Sequence, residues 1–110
     1  MNITKLGLLG EWKAELYLKK QGIRILKRRF RTPHGEIDLI GRDGSTLVFV
    51  EVKYRPAGQM GDGIRAIDAA KRKRLRYAAN VYLSAHPHTA VRFDAVEITS
   101  SGIRHIPNIM

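Results

Sequence analysis

Alternating apolar and polar positions predict two neighbouring β-strands in the first half of the chain. One covers residues 35–40, and the other is the strongly apolar run at residues 47–53. Their Val, Ile, Leu and Phe residues are typical of strands. The four residues Arg42-Asp43-Gly44-Ser45 between them have the composition of a tight turn. The two strands are therefore expected to pair as an antiparallel hairpin, with its turn centred on Asp43-Gly44.

Longer segments with helical periodicity lie on either side of this hairpin. A first helix is predicted over residues 4–21, with Gly22 as its stop, and a second over residues 63–84. Further strands are predicted over residues 23–30, 91–98 and 103–106. This order predicts one α/β domain over residues 1–110, with a mixed central sheet flanked by helices.

Charged residues interrupt the apolar pattern of the second hairpin strand. Glu51 and Lys53 share a face with Phe49, because strand side chains alternate. The predicted hairpin would put Glu36 and Asp38 on that same face, with Asp38 diagonal to Glu51. Carboxylates about 5 to 8 Å apart repel each other, and partial burial raises their pKa. A cation is therefore expected between these acids.

A divalent metal would meet this requirement. Oxygen ligands held on rigid strands suit Mg²⁺ or Mn²⁺, which commonly bridge to the phosphate oxygens of a substrate, so phosphodiester cleavage is the matching chemistry. In the alternative interpretation, Glu51 and Lys53 form an ordinary surface ion pair and Asp38 faces solvent. The metal site is favoured because the Glu51 strand is apolar on both faces, where unpaired charge is costly.

The same residues resemble a known protein family. The segments that carry the resemblance are Gly10-Glu11, Ala14, Tyr17-Leu18, residues 35–40, residues 48–55 and Arg92-Phe93-Asp94. Over nearly the whole chain they are similar to the YraN family of small bacterial proteins, which is placed in the PD-(D/E)xK nuclease superfamily near Holliday-junction resolvases. The resemblance implies a restriction-endonuclease-like fold. It also implies a metal-dependent endonuclease that acts on DNA, including branched or structured DNA.

The resemblance also implies roles for individual residues. The side chains that would match the catalytic positions of the superfamily are Asp38, Glu51, Lys53 and Glu11. Asp38, Glu51 and the backbone carbonyl of Val52 would bind Mg²⁺ or Mn²⁺. Periodicity alone does not choose between Glu11 and Glu15 on the first helix, and the resemblance selects Glu11. Ile37 stands where the name of the motif has proline.

The chain is strongly basic, with 20 Lys and Arg residues against 10 Asp and Glu residues and a formal charge of +10 over 110 residues. Such a charge attracts polyanions, so a nucleic acid is the expected partner. Charge does not distinguish DNA from RNA, and the family resemblance implies DNA. The candidate phosphate-binding residues are Arg28, Arg29, Arg31, Lys71, Arg72 and Arg74. A solvated basic surface is the alternative for these residues. Lys71 lies on the apolar stripe of the second helix, so it could also reach the metal-site acids or extend its stem to the surface.

The remaining expectations concern location and assembly. No apolar run is long enough to span a membrane, and the chain has no cysteine, so a cytoplasmic protein without a membrane partner is expected. A homodimer is a hypothesis by analogy with small resolvases, which cut two strands. The alternative function is a non-catalytic nucleic-acid-binding protein on the same fold.

Overall fold

The computed structural model describes residues 5–57, 67–88 and 90–110, without the side chains of residues 5–7. Helix α1 (Lys5–Lys20) is followed by three strands, β1 (Arg24–Thr32), β2 (Gly35–Asp43) and β3 (Thr46–Arg55). Helix α2 (Ala69–Ala85) then leads to strands β4 (Val91–Thr99) and β5 (Gly102–Ile106). The predicted α/β class is confirmed. Among the helices described, none is long and apolar enough to cross a membrane.

The strands form one mixed sheet in the order β1-β2-β3-β4-β5. Only the β3–β4 pair is parallel among these neighbours; the other pairs are antiparallel. A parallel pair needs a crossover connection, and α2 lies within it. The strand that carries Glu51 is therefore the central one, with a neighbour on each side. This architecture is compatible with the restriction-endonuclease-like fold that the sequence resemblance implies.

The two helices cover opposite faces of the sheet, because alternate residues of β3 pack against different helices. The α1-side core contains Ala14, Leu18, Ile23, Leu39, Val48, Val50, Val96 and Ile98. The α2-side core contains Ile37, Ile40, Leu47, Phe49, Leu75, Ala78, Ala79 and Tyr82. Burial of large aliphatic and aromatic side chains contributes about 1.5 to 3 kcal/mol each. The apolar character of β3 on both faces thus follows from its two helical covers.

The hairpin turn lies one residue later than predicted. Asp43 pairs with Thr46, so Gly44-Ser45 forms the loop, and Gly44 has a φ of +61° that favours glycine. This displacement moves each cross-strand partner by two positions, and two positions preserve the face on which a side chain lies. The error in the turn therefore changes the pairing without exchanging the faces of β3.

Helix α2 begins later than predicted. Ile67 and Asp68 precede it, so the predicted start at residue 63 was wrong for these two residues, and residues 58–66 lie outside the described part of the chain. Asp68 is the N-cap, because its side chain accepts a hydrogen bond from the backbone N–H of Lys71 at 2.8 Å. The cap places Lys71 in the first turn of the helix.

Candidate active site

Asp38 lies where the regular pairing of β2 with β3 stops. The last pair on this side is Leu39 with Val50, and one further step would put Asp38 opposite Glu51 rather than diagonal to it. Here the side chain of Asp38, rather than the backbone of β2, accepts the hydrogen bond from β3. Its Oδ2 atom accepts a hydrogen bond from the backbone N–H of Val52 at 2.7 Å. This bond fastens Asp38 directly to the strand that carries Glu51.

The alternation of side chains in β2 is interrupted at the same place. Ile37 and Ile40 are three residues apart, yet both pack in the α2-side core, where strict alternation would put them on opposite faces. The prediction that Glu36 lies with the other acids was wrong. Its side chain is half exposed and lies 3.6 Å from Arg31. Of the three acids predicted on this face, Asp38 and Glu51 therefore form a pair without Glu36.

Asp38 and Glu51 form this pair in a poorly hydrated position. Burial raises the pKa of Asp38 well above its usual range, and the neighbouring Glu51 carboxylate raises this pKa further. The hydrogen bond from Val52 opposes the shift without cancelling it. Two adjacent anions are thus unfavourable here unless a proton or a cation accompanies them.

Two lysines from different elements converge on Glu51. The Nζ atom of Lys53, on β3, lies 3.6 Å from Glu51 Oε1, and the Nζ atom of Lys71, on α2, lies 3.4 Å from the same oxygen. Both side chains are mostly buried, with exposed fractions of 17% and 26%. Of the alternatives left open for Lys71, the structure therefore shows the contact with the acid pair.

A close approach of α1 to β3 brings Glu11 to the same region. A Cβ atom on Gly10 would lie 2.6 Å from Cβ of Tyr54, so a larger residue would push the helix away. Glu11 follows Gly10 and is near enough for its charge to raise the pKa of Asp38. Glu15, one turn later, instead binds Arg28 and Lys19. The two glutamates that periodicity could not distinguish thus have different surroundings.

Arg29 links Glu11 to the edge of the site through an unusual backbone conformation. Its φ of 49° is uncommon for a residue with a side chain. Arg29 Nε lies 2.7 Å from Glu11 Oε1, as an ion pair without a well-aligned hydrogen bond. Burial raises the pKa of Glu11, and Arg29 offsets part of that rise. This local distortion gives a partly buried acid a cationic neighbour.

The candidate phosphate-binding residues fall into two groups. On β1, Arg28 binds Glu15 with Nε 2.6 Å from Oε1, and Arg29 and Arg31 also have acidic partners. On α2, Arg72 and Arg74 are exposed to solvent. The α2 surface therefore offers cations to a polyanion more directly than β1 does.

The donor set agrees with the ligand chemistry of a hard divalent cation. Mg²⁺ is commonly held by one or two carboxylates and keeps several waters. Asp38 and Glu51 provide two such groups, in a place where their joint negative charge is otherwise unfavourable. In the described residues, no group of three or more His, Cys, Asp or Glu side chains is arranged to hold a metal. Additional ligands would have to be backbone oxygens, water or substrate.

Sequence reasoning did not single out Tyr77, which lies near the site on α2. Its ring makes an edge contact with His34, with ring centroids 5.2 Å apart. His34 belongs to the turn between β1 and β2, so this contact joins two segments that are far apart in the chain. In the sequence, Tyr77 is an aromatic residue outside the predicted buried stripe of the second helix. That position alone does not predict a functional role.

The fold and the acid pair define a small α/β protein with a mixed sheet of restriction-endonuclease-like architecture and a lysine-flanked carboxylate pair beside its central strand. Family comparison agrees with the resemblance found in the sequence. The profile of the uncharacterised protein family UPF0102, the YraN family, matches residues 10–98. The chain belongs to this family.

Curated relatives have similar lengths and the same family description. A UPF0102 protein of Geobacter metallireducens is 42% identical over 109 residues, which cover 94% of this chain and 89% of the relative. A UPF0102 protein of Shewanella amazonensis is 45% identical over 101 residues, covering 91% and 94% respectively. Each match therefore covers more than nine tenths of this chain.

Proposed function

We propose that this protein is a Mg²⁺- or Mn²⁺-dependent endonuclease that hydrolyses phosphodiester bonds in DNA. The observation that carries the proposal is the Asp38–Glu51 pair, which meets two lysine ammonium groups beside the central strand of a covered sheet. Buried acids that disfavour their own charged state are often found at functional sites. A purely structural pair would be expected to have a full set of cationic partners for each acid.

The residues that would hold the metal are Asp38 and Glu51, with the backbone carbonyl of Val52. A bound divalent cation lowers the pKa of water and offsets the negative charge that develops on a phosphoryl group. The bond from the N–H of Val52 keeps Asp38 in a fixed position beside β3. Preorganised ligands of this kind need little rearrangement during the reaction.

Lys53 and Lys71 would provide positive charge that attracts the phosphate groups of the substrate. Each ammonium group is a compact cation with three donors, suited to orienting a water molecule or binding a phosphate oxygen. Both lie near one oxygen of Glu51, which keeps them at the acid pair in the absence of substrate. Lys53 would orient the attacking water, and Lys71 would bind a phosphate oxygen from the α2 side.

Glu11 and Arg29 would act as positioning residues. Glu11 adds negative charge near Asp38, and Arg29 limits that charge by pairing with Glu11. The exposed cations of α2 and the net charge of +10 support attraction of DNA to this face. We place this activity in the cytoplasm, where its DNA substrate is present.

The proposal is tested by incubating the purified protein with labelled linear, single-stranded and four-way-junction DNA in Mg²⁺ or Mn²⁺. Cleavage by the wild-type protein should stop in EDTA. Asp38→Asn, Glu51→Gln and Lys53→Ala should each reduce the cleavage rate roughly 100-fold or more, because each removes a group that meets the metal or the developing charge.

Matched variants control for the loss of charge alone. Asp43→Asn changes an acid on the hairpin turn, and Lys19→Ala changes an exposed lysine on α1; both should cleave at the wild-type rate. Equal cleavage by the wild type and Asp38→Asn would contradict the proposal and indicate a contaminating nuclease.

The excess of cations on α2 supports a second candidate, a nucleic-acid-binding protein without catalysis. It predicts DNA binding that weakens steeply with salt and no metal-dependent cleavage of any of the DNA forms. Under this alternative, Asp38→Asn would bind DNA at least as well as the wild type, because it removes a negative charge.

A further inference from the structure

A cavity of 780 Å³ opens between α2 and the turn that joins β1 to β2. Its volume is within the range of about 300 to 1,000 Å³ that is typical of small-ligand sites. On the sheet side the cavity is lined by residues 32–36, and on the helix side by Lys71, Lys73, Arg74, Leu75 and Tyr77. A cavity of this size can enclose a chemical group as large as a small ligand, whereas a flat DNA-binding surface cannot enclose one.

The close packing of the turn against α2 defines one end of this cavity. A Cβ atom on Gly35 would collide with the backbone carbonyl oxygen of Arg74, so only glycine allows the two segments to approach this closely. Thr32 fixes the turn by donating a hydrogen bond to the carbonyl oxygen of Gly35 at 2.6 Å. The turn is thereby held in place, with His34 directed to α2.

The lining combines an aromatic surface with positive charge. Tyr77 is 40% exposed, and its ring makes an edge-type contact with His34 at an interplanar angle of 81°. Lys73 and Arg74 precede it on the same helix and are exposed. An aromatic ring for a base and cations for a phosphate are the usual elements of a site for unpaired nucleotides.

Lys71 connects the cavity to the acid pair. This residue lines the cavity, and its ammonium group also lies 3.4 Å from Glu51. A nucleotide in the cavity would therefore be next to the phosphate held at the candidate active site. A base within an intact duplex is stacked between its neighbours and cannot enter such a cavity unless it leaves the stack.

We propose that this cavity binds one unpaired nucleotide of a DNA substrate, with its base against Tyr77 and its phosphate at Lys73 and Arg74. The inference rests on the proposed function and narrows its substrate class to DNA that has an unpaired nucleotide beside the cleaved bond. Glu36, on the cavity wall, repels phosphate and so directs the backbone toward the helix side.

Binding of two short DNA duplexes tests this inference. The probes have the same sequence, except that one contains a single extra adenine as a bulge, and binding is followed by fluorescence anisotropy at fixed salt with Ca²⁺ in place of Mg²⁺. The wild type should bind the bulged duplex more tightly. Tyr77→Ala should weaken binding of the bulged duplex roughly tenfold and binding of the paired duplex less than about twofold. Only the unpaired base can stack on the Tyr77 ring, so only the bulged duplex loses this binding energy.

Two control variants separate stacking from general effects. Tyr77→Phe keeps the ring and should retain the preference for the bulge. Trp12→Ala removes another exposed aromatic side chain, on the helix that covers the opposite face of the sheet, and should also retain it. Replacement of the bulged adenine by 2-aminopurine should give a fluorescence change on binding to the wild type that is absent with Tyr77→Ala.

Equal affinity of the wild type for both duplexes, or an equal loss of both affinities in Tyr77→Ala, would overturn the inference. Metal-dependent cleavage of paired DNA under those results would leave the proposed nuclease intact. Absence of binding to either duplex and of cleavage of any DNA form would instead overturn both proposals.

Discussion

Asp38 and Asp94 lie on the same sheet in opposite electrostatic surroundings. Asp94, on β4, is completely buried and lies 2.9 Å from Nε of Arg92 and 2.7 Å from Nε2 of His105. It also accepts a hydrogen bond from the backbone N–H of Asn108 at 3.2 Å. Burial by itself would raise the pKa of Asp94, but the hydrogen bonds from these three partners outweigh it and lower that pKa.

Asp38 lacks this compensation. Within the described residues, one backbone N–H, that of Val52, donates to its carboxylate, and the charge of a neighbouring acid, Glu51, raises its pKa. The same fold thus surrounds one aspartate with cations and hydrogen-bond donors and places a second carboxylate beside the other. The fold can therefore bury an aspartate with compensating partners, as it does at Asp94. The uncompensated Asp38–Glu51 pair is a specific feature of its position. Asp94 links β4 to His105 on β5 and to Asn108 beyond it.

The largest difference between these aspartates should be in stability. Asp94→Asn removes the anion from a buried network and leaves Arg92 paired with the exposed Asp43 alone among the acids of the described residues, so we expect a loss of about 3 kcal/mol in the free energy of unfolding. Asp38→Asn removes one of two adjacent acids and keeps an oxygen for the N–H of Val52. It should change stability by less than about 0.5 kcal/mol or increase it. Urea unfolding at pH 7 measures both, and equal losses in the two variants would remove the distinction.

Metal binding should sharpen the comparison further. A cation that binds only the folded protein raises the free energy of unfolding by about 2.7 kcal/mol at roughly a hundredfold excess over its dissociation constant. Thermal unfolding in increasing Mg²⁺ or Mn²⁺ should show this rise for the wild type and for Asp43→Asn. The rise should be absent for Asp38→Asn and Glu51→Gln. An equal rise in the free energy of unfolding of all four proteins would show that the metal binds outside the Asp38–Glu51 pair.

The smallest effect is expected at Glu15, a buried acid whose surroundings are like those of Asp94. Hydrogen bonds from Arg28 lower the pKa of Glu15 to about 2, and Lys19 contributes in the same direction. Because the folded-state pKa is depressed, this stabilisation is fully present above the usual glutamate pKa and is lost as the pH falls from about 4.5 to about 2. The exposed partners limit it to about 1 kcal/mol.

Melting temperatures of the wild type and Glu15→Gln between pH 2 and pH 7 check this expectation. The variant should melt at a lower temperature at neutral pH, and the two curves should converge at the acidic end. A constant difference across this range would show that Glu15 stabilises the fold by packing rather than by its charge.

Much of the fold could be predicted because its signals are local. The apolar runs and the turn residues 43–45 define the hairpin, and a hairpin brings Asp38 near Glu51 even when the turn is misplaced by one residue. The inward position of Lys71 followed from helical periodicity in the same way. These inferences depend only on the periods of strands and helices.

Other features depend on contacts between distant segments and have no local signal. The approach of α1 at Gly10 depends on Tyr54, and the break in alternation at Asp38 depends on the N–H of Val52. The left-handed conformation of Arg29 is equally invisible in a strand-like sequence. The late start of α2 depends on capping by Asp68. The helical periodicity of the sequence begins earlier, at residue 63, and so predicted a longer helix. Each of these features changes the site more than the fold.

The parallel pairing of β3 with β4 sets an order for the folding of a newly synthesised chain. Leu47 pairs with Val91, whereas Asp38 and Glu51 are joined by a short hairpin. The acids can therefore meet while the ribosome is still extending the chain, before Lys71 and the basic surface of α2 are available. Until β4 arrives, one edge of the apolar strand β3 is open to pairing with other chains. Rapid completion of the second half of the chain thus protects the first half from aggregation.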